Sequence, residues 1–77
     1  MKLTISKIDK ILWSGEAESV SVPGTDGRMT VLPHHMPIIT TLKAGVIVVK
    51  ANKVEPVSFT IVKGFLEVGK NETVILV

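Results

Sequence analysis

The stretch VPGTDGRMTVLPHHMP, residues 22–37, holds three of the chain's four prolines (Pro23, Pro33, Pro37), two of its six glycines and both of its histidines. Pro23-Gly24 and Asp26-Gly27 are turn dipeptides, each supplying the backbone angles that a tight reversal needs. Between them and Pro33, Met29 and Val31 alternate with polar neighbours, the spacing of a short strand. Turn, strand and proline stop within sixteen residues leave no room for a helix, so the segment reads as part of an all-β fold.

Working outward, a period of two continues almost throughout. Leu3, Ile5 and Lys7 alternate with Thr4, Ser6 and Ile8, with a crossover near the end of the strand. Lys10–Ser14 makes a second strand, punctuated by Ser14-Gly15, and Ala17–Val22 a third with one polar face. Downstream, Pro37–Leu42 reads as a strand and Lys43-Ala44-Gly45 as a turn. Val46–Ala51 is densely β-branched, which predicts a strand buried on both faces or central in a sheet. Asn52-Lys53 is a hairpin tip candidate. Val57–Val62, Phe65–Val68 and Thr73–Val77 complete the series, separated by Gly64 and by Gly69–Glu72. No window of eleven residues or more carries apolar spacing at i, i+3, i+4 and i+7 with caps. The pattern predicts one all-β domain over residues 1–77, a two-layer sandwich of about ten short, mostly antiparallel strands, with no C-terminal helical hairpin.

Composition narrows the function. Seventy-seven residues form one core, and a chain of this size buries only about 60% of the surface its unfolded form exposes. Cysteine is absent, which removes disulfides, thiolate metal sites and a cysteine nucleophile and fits a reducing compartment. The net charge is +2, and eight of the nine basic residues are lysines spread along the chain. With one arginine (Arg28), one tryptophan (Trp13), two phenylalanines and no tyrosine, the chain lacks the Arg and aromatic concentration of nucleic-acid binders. MKLTISKIDK alternates, unlike a signal-peptide core, and no apolar run approaches the ~20 residues of a membrane span. A mean hydropathy of +0.44 is high for so small a domain. The excess implies an apolar face reserved for a partner.

Catalytic readings find little support. The two histidines are adjacent, no Gly-x-Ser-x-Gly elbow accompanies them, and the seven carboxylates are scattered. Side chains at neighbouring strand positions point to opposite faces, so His34 and His35 do not readily ligate one ion, and Asp26 is the only carboxylate nearby in sequence. His35 is read either as a polar anchor in a proline-bracketed loop or as a turn histidine bonding to backbone. The glycines form neither a dinucleotide fingerprint nor a P-loop. No catalytic, cofactor or metal residue is expected.

Four blocks in series carry a resemblance. They are Trp13-Ser14-Gly15-Glu16 leading into Glu18-Ser19-Val20; Val22–Gly27; Val31-Leu32-Pro33-x-His35-x-Pro37 followed by Leu42–Gly45; and Gly64–Val68 with Asn71 and Thr73-Val74. Together they resemble the N-terminal β-sandwich domain of the epsilon subunit of F-type ATP synthases, called delta in mitochondria. The chain departs from that pattern at His34, where the family usually has Gly, at Arg28, where an acidic or polar residue is common, and at Met29-Thr30 and Lys63.

The resemblance implies a non-catalytic rotor subunit at the foot of the central stalk. It would bind the gamma subunit and the c-ring and help couple proton flow to ATP synthesis, peripheral to the cytoplasmic face of the bacterial inner membrane or the equivalent organelle face. It assigns Thr25, Asp26, Arg28, Met29 and Thr30 to c-ring contact. His35, Met36, Pro37, Ile38, Phe65 and Leu66 are assigned to gamma contact. No cofactor, nucleic acid or small-molecule substrate is expected, and neither is ATP binding or an inhibitory switch. The abrupt apolar end, Val-Ile-Leu-Val, suggests a piece of a longer protein. The alternatives are a free-standing protein- or carbohydrate-binding module anchored on Trp13, and a histidine-metal barrel.

Overall fold

A computed structural model describes all 77 residues, Met1–Val77. Nine strands follow one another: β1 (Lys2–Lys7), β2 (Lys10–Glu16), β3 (Ser19–Gly24), β4 (Gly27–Val31), β5 (Ile38–Leu42), β6 (Gly45–Lys50), β7 (Val57–Ile61), β8 (Gly64–Val68) and β9 (Glu72–Leu76). They form one continuous sheet in the order β2-β1-β9-β8-β5-β3-β6-β7, with β4 on the other edge of β3. The sheet curls into a two-layer sandwich. All pairings are antiparallel except β1 with β9. A single residue pair, Gly24 with Leu42, joins β3 to β5 and serves as the crease between the layers.

The alternation seen in sequence decides which side chains face inward. Leu3, Ile5, Leu66, Val68 and Ile75 from one layer, with Val20, Val22, Val31, Ile47 and Val49 from the other, belong to a single core of thirteen buried apolar residues. Each Leu, Ile or Val contributes about 1.5–3 kcal/mol by leaving water. Only one polar residue is buried, Thr73, whose hydroxyl reaches the Met1 sulfur at 3.8 Å. No buried side-chain polar atom lacks a partner, so the core carries no desolvation penalty of that kind.

Several strand expectations change in detail. Pro23-Gly24 does not turn the chain but ends β3, opposite Arg28 and Gly27. Pro23 lacks an N–H to pair, but its carbonyl accepts from the Lys43 amide at 2.9 Å, and its ring fills the space above Gly45. A Cβ on Gly45 would lie 2.7 Å from Pro23 Cβ, so this close packing needs glycine. The reversal is made by Thr25-Asp26 with Gly27 at φ 136°. Strand β2 runs on through Gly15, over which the Trp13 ring lies. Strand β6 is hydrogen-bonded on both edges, as a central strand is, but only one face is buried: Ile47 and Val49 point inward while Val46 is exposed. The crossover expected near the end of the first strand is the strand's end itself, with Ile8 in the turn, and the β1–β2 pairing has a bulge opposite Ile5 and Ser6 where Leu12 of β2 is the extra residue.

The register sorts the turns into two ends. Thr25 N–H donates to Thr41 O (3.1 Å), Lys43 N–H to Pro23 O (2.9 Å) and Val77 N–H to Ser6 O (2.9 Å), and Gly64 pairs with Leu42. Those links gather the β1–β2, β3–β4, β5–β6 and β7–β8 turns at one end. At the other, Ala17 N–H donates to Met1 O, Glu18 N–H to Lys50 O, and Ile38 pairs with Val68. There the Leu32–Pro37 loop lies beside the β8–β9 turn.

Truncating Ile75 to Ala, at a fully buried site, is expected to cost about 2–5 kcal/mol, whereas Ile8→Ala, at a fully exposed turn, should stay within about 0.5 kcal/mol. Urea unfolding of the two variants checks this; equal losses would contradict the assigned register.

Candidate functional site

Three surfaces stand out against this frame. The first is the end bearing the β3–β4 hairpin. Its charged residues are Lys7, Lys10, Arg28, Lys43 and Lys63 against Asp9 and Asp26, five cations to two anions. The opposite end carries Lys2, Lys50, Lys53 and Lys70 against Glu16, Glu18, Glu55 and Glu72 and is balanced, while Glu67 lies between. The chain's surplus charge is therefore concentrated at the hairpin end. The only ion pair in the molecule joins the Met1 amine to Glu16 at 3.4 Å, at the balanced end, so Arg28 and all eight lysines are free to meet a partner's charges.

Of the residues assigned to c-ring contact, Thr25, Asp26, Arg28 and Thr30 are exposed. Thr25 is held in place: its hydroxyl donates to Thr41 O at 3.0 Å and lies 2.6 Å from the Thr41 hydroxyl. This ties the hairpin tip to β5 and stiffens it. Met29 is the exception, half-buried and packed inward against the core, because it shares the inward face of β4 with Val31.

The second surface is the outer face of β5, β8 and β9. Cross-strand registers place Ile39 beside Glu67 and Val74, and Thr41 beside Phe65 and Leu76. Ile39 (72%), Phe65 (54%) and Leu76 (51%) are exposed, and together with Val74 and the Glu67 side chain between Ile39 and Val74 they line a shallow, mainly apolar hollow of about 170 Å³. Phe65 therefore lies on open apolar surface. Leu66 is corrected: it is fully buried in the core, because neighbouring strand residues face opposite ways. Sequence reading missed Ile39 and Leu76. Their signal was present as outward positions in an apolar alternation, but it became visible only once the strand pairing was known.

The third surface is the loop of His35, Met36, Pro37 and the start of β5 at Ile38. Met36 and Pro37 are exposed, while His35 and Ile38 are half-buried. This group sits at the far end of the β5–β8 pair from Phe65, so the residues assigned to gamma contact form two patches rather than one. Leu32 to His35 closes a turn through His35 N–H donating to Leu32 O at 3.2 Å. With Pro33 second and His34 third at φ 68°, it has the type II pattern, in which Gly or Asn is usual at the third position. The unusual residue preceding His35 is thus explained as a backbone requirement that His34 meets at a cost of about 1–2 kcal/mol. His35 Nδ1 lies 2.7 Å from the Met36 carbonyl, so of its two readings the histidine bonded to backbone is the one the structure supports.

No group of three or more His, Cys, Asp or Glu side chains is placed to hold a metal ion. His34 and His35 lie in the loop between β4 and β5, not on a strand. Trp13, the anchor of the binding-module alternative, packs over Gly15 and against the core. No helix long and apolar enough to cross a membrane is present.

If the positive φ is what makes His34 costly, glycine should be favoured over alanine there, since both remove the imidazole equally. His34→Gly is expected to be about 1 kcal/mol more stable than His34→Ala by urea unfolding; the reverse order would contradict the turn assignment.

Comparison with known proteins places this geometry. Residues 1–77 match the family described as ATP synthase, Delta/Epsilon chain, beta-sandwich domain. The ATP synthase epsilon chain of Synechococcus elongatus is 38% identical over 79 residues, covering 100% of this chain and 57% of that protein. The epsilon chain of a Cyanothece species is 40% identical with 56% of its length covered, and that of Dehalococcoides mccartyi 38% with 54% covered. The chain thus spans little more than half the length of these relatives. Among solved structures, a chain of the Euglena gracilis mitochondrial ATP synthase (OSCP/F1/c-ring, rotational state 1) superposes with a TM-score of 0.88 at 22% identity, covering 96% of this chain and 48% of that one. A chain of the Tetrahymena thermophila mitochondrial ATP synthase central stalk and c-ring gives 0.82 at 12% identity, covering 97% and 60%. At these identities the structural likeness establishes the fold.

Proposed function

Since the chain belongs to the ATP synthase delta/epsilon β-sandwich family, we propose that it acts as a non-catalytic rotor element of an F-type ATP synthase, binding the gamma subunit and the c-ring. In this role it couples ion flow to ATP synthesis as a rigid link in the central stalk, peripheral to the membrane through the complex and on its cytoplasmic or equivalent face. The observation that carries the reading is the pairing of one open, mainly apolar face, Ile39, Phe65, Val74 and Leu76, with a separate cation-rich end. A body wedged between two partners needs two unlike surfaces, and this one has them.

Gamma is assigned to the apolar face. A shallow apolar hollow with an exposed aromatic at Phe65 suits a stable protein contact, where a few buried anchors carry most of the energy. The Met36-Pro37 loop borders that face and extends it toward the balanced end. The c-ring is assigned to the basic end, where Asp26, Arg28 and Thr30 stand on a hairpin braced by Thr25. Ring loops in the family carry polar and acidic groups, which an unpaired Arg28 and its neighbouring lysines complement. Exposed pairs of this kind are individually worth about 0–1 kcal/mol, so they orient the contact and the apolar face holds it.

Stiffness is the mechanical requirement. A torque-bearing link fails if its layers slide, and here the layers share a close-packed core and one continuous hydrogen-bonded sheet.

Phe65→Ala is expected to weaken binding to gamma about tenfold or more while leaving the unfolding midpoint nearly unchanged, because that side chain is exposed. Titration calorimetry with gamma measures it; unchanged affinity would count against this face. Arg28→Glu should weaken association with purified c-ring and flatten its salt dependence, as a lost charge contact does. An unaltered salt dependence would remove Arg28 from that contact.

A further inference from the structure

Strands β2, β4 and β7 each pair with one neighbour only, so each leaves a backbone edge free. Two of these edges are guarded in the ways edges usually are. Strand β2 carries Lys10, Glu16 and a bulge at Leu12, and β4 carries Arg28. Strand β7, Val-Ser-Phe-Thr-Ile over residues 57–61, has no charge, no proline and no break in its register.

The pairing of its neighbour decides which β7 groups are free. Lys50 O accepts from Glu18 N–H at 2.7 Å, so the Lys50 backbone is directed at β3. Strand backbones alternate in direction, which turns Gly45, Ile47 and Val49 toward β7. Their partners Ile61, Phe59 and Val57 are then the hydrogen-bonded residues, and the N–H and C=O groups of Ser58 and Thr60 point away from β6. Ser58 and Thr60 line a groove of about 560 Å³ between β7 and the β1–β2 hairpin, with Leu12, Phe59 and Ile61 among its apolar residues. Lys7 and Lys63 are the only charged residues in the lining, and neither has an ion-pair partner. Lys63 follows β7 directly, so this positive charge sits at the C-terminal end of the strand.

We propose that this groove takes an extended acidic segment of a partner protein, which pairs with β7 as an added strand. Free donors and acceptors at alternate residues of one strand match the backbone of another extended chain. In a strand so placed, every second side chain turns inward toward Leu12 and Phe59, so apolar residues at alternate positions fit there. The two lysines, with no acid beside them in the lining, select carboxylates near the β7–β8 turn. The groove contains none of the residues that form the Phe65 face or the Arg28 hairpin, so the inference stands apart from the gamma and c-ring assignments.

The test is amide NMR and hydrogen exchange of the 77-residue chain with a capped peptide of alternating valine and glutamate and, separately, one of alternating valine and lysine. With the glutamate peptide, saturable shifts are expected at Ser58, Thr60 and Lys63. The Ser58 and Thr60 amides, free in the chain alone, should exchange at least about tenfold more slowly when it is bound. The lysine peptide should bind at least about fivefold more weakly. Thr60→Pro removes one outward N–H and leaves the bonds to β6 in place, so it should weaken binding about tenfold. Lys63→Glu, at an exposed turn residue, keeps the fold and should cancel the preference between the two peptides. Protection of Ser58 and Thr60 that grows with chain concentration alone would make a second copy the occupant and overturn the proposal. So would shifts centred on Ile39 and Phe65, equal affinity for the two peptides, or no saturable shift.

Discussion

The parallel pairing of β1 with β9 is the constraint on which the rest of the structure depends. Lys2 to Ser6 lie alongside Glu72 to Leu76, so residues about seventy positions apart must meet before either strand is complete. Parallel neighbours cannot be joined by a tight turn. Here the connection is the whole intervening chain, and the closure cost falls on every strand at once. The return is a layer, β2-β1-β9-β8-β5, whose inner face supplies Leu3, Ile5, Leu66 and Ile75 with no solvent exposure. The same register sets what lies on the outer face, because each inward residue fixes its outward neighbours.

From that register the surface chemistry follows without further assumptions. Turns that alternate between the two ends of the sandwich carry their lysines with them, and five cations collect at the hairpin end while the other end stays balanced. The apolar hollow of Ile39, Phe65, Val74 and Leu76 is the outward half of three adjacent strands whose inward half is core. High hydropathy in so short a chain is thereby divided between a closed interior and one open face.

Much of the fold was legible in the sequence because strand periodicity is local. Alternation at Leu3–Ile5, Val20–Val22 and Val57–Ile61, together with Asp26-Gly27 and Asn52-Lys53 as reversals, describes most strands before any pairing is known. Nine strands form where about ten were expected. Pro23-Gly24 misled for a physical reason: the dipeptide favours turns in isolation, but packing against Gly45 and acceptance of the Lys43 amide hold it extended. Phe65-Leu66 shows a different limit. Both are apolar, and which one faces the core depends on a register set by β5 and β9, so Leu66 was misplaced on the surface. Ile39 and Leu76 went unnoticed for the same reason. The turn at His34 was partly legible, since Pro33 marks it, but the positive φ that explains the missing glycine is a property of the closed turn alone.

The central claim is that the open apolar face is the seat of gamma. Methyl NMR of the chain with a solvent-exposed paramagnetic agent, recorded alone and bound to gamma, tests it directly. The account predicts that the Ile39, Val74 and Leu76 methyl groups, accessible in the free chain, become shielded in the complex, while Val46 and Val48 on the opposite layer stay accessible. Shielding at Val46 and Val48 with Ile39 and Leu76 left open would contradict it.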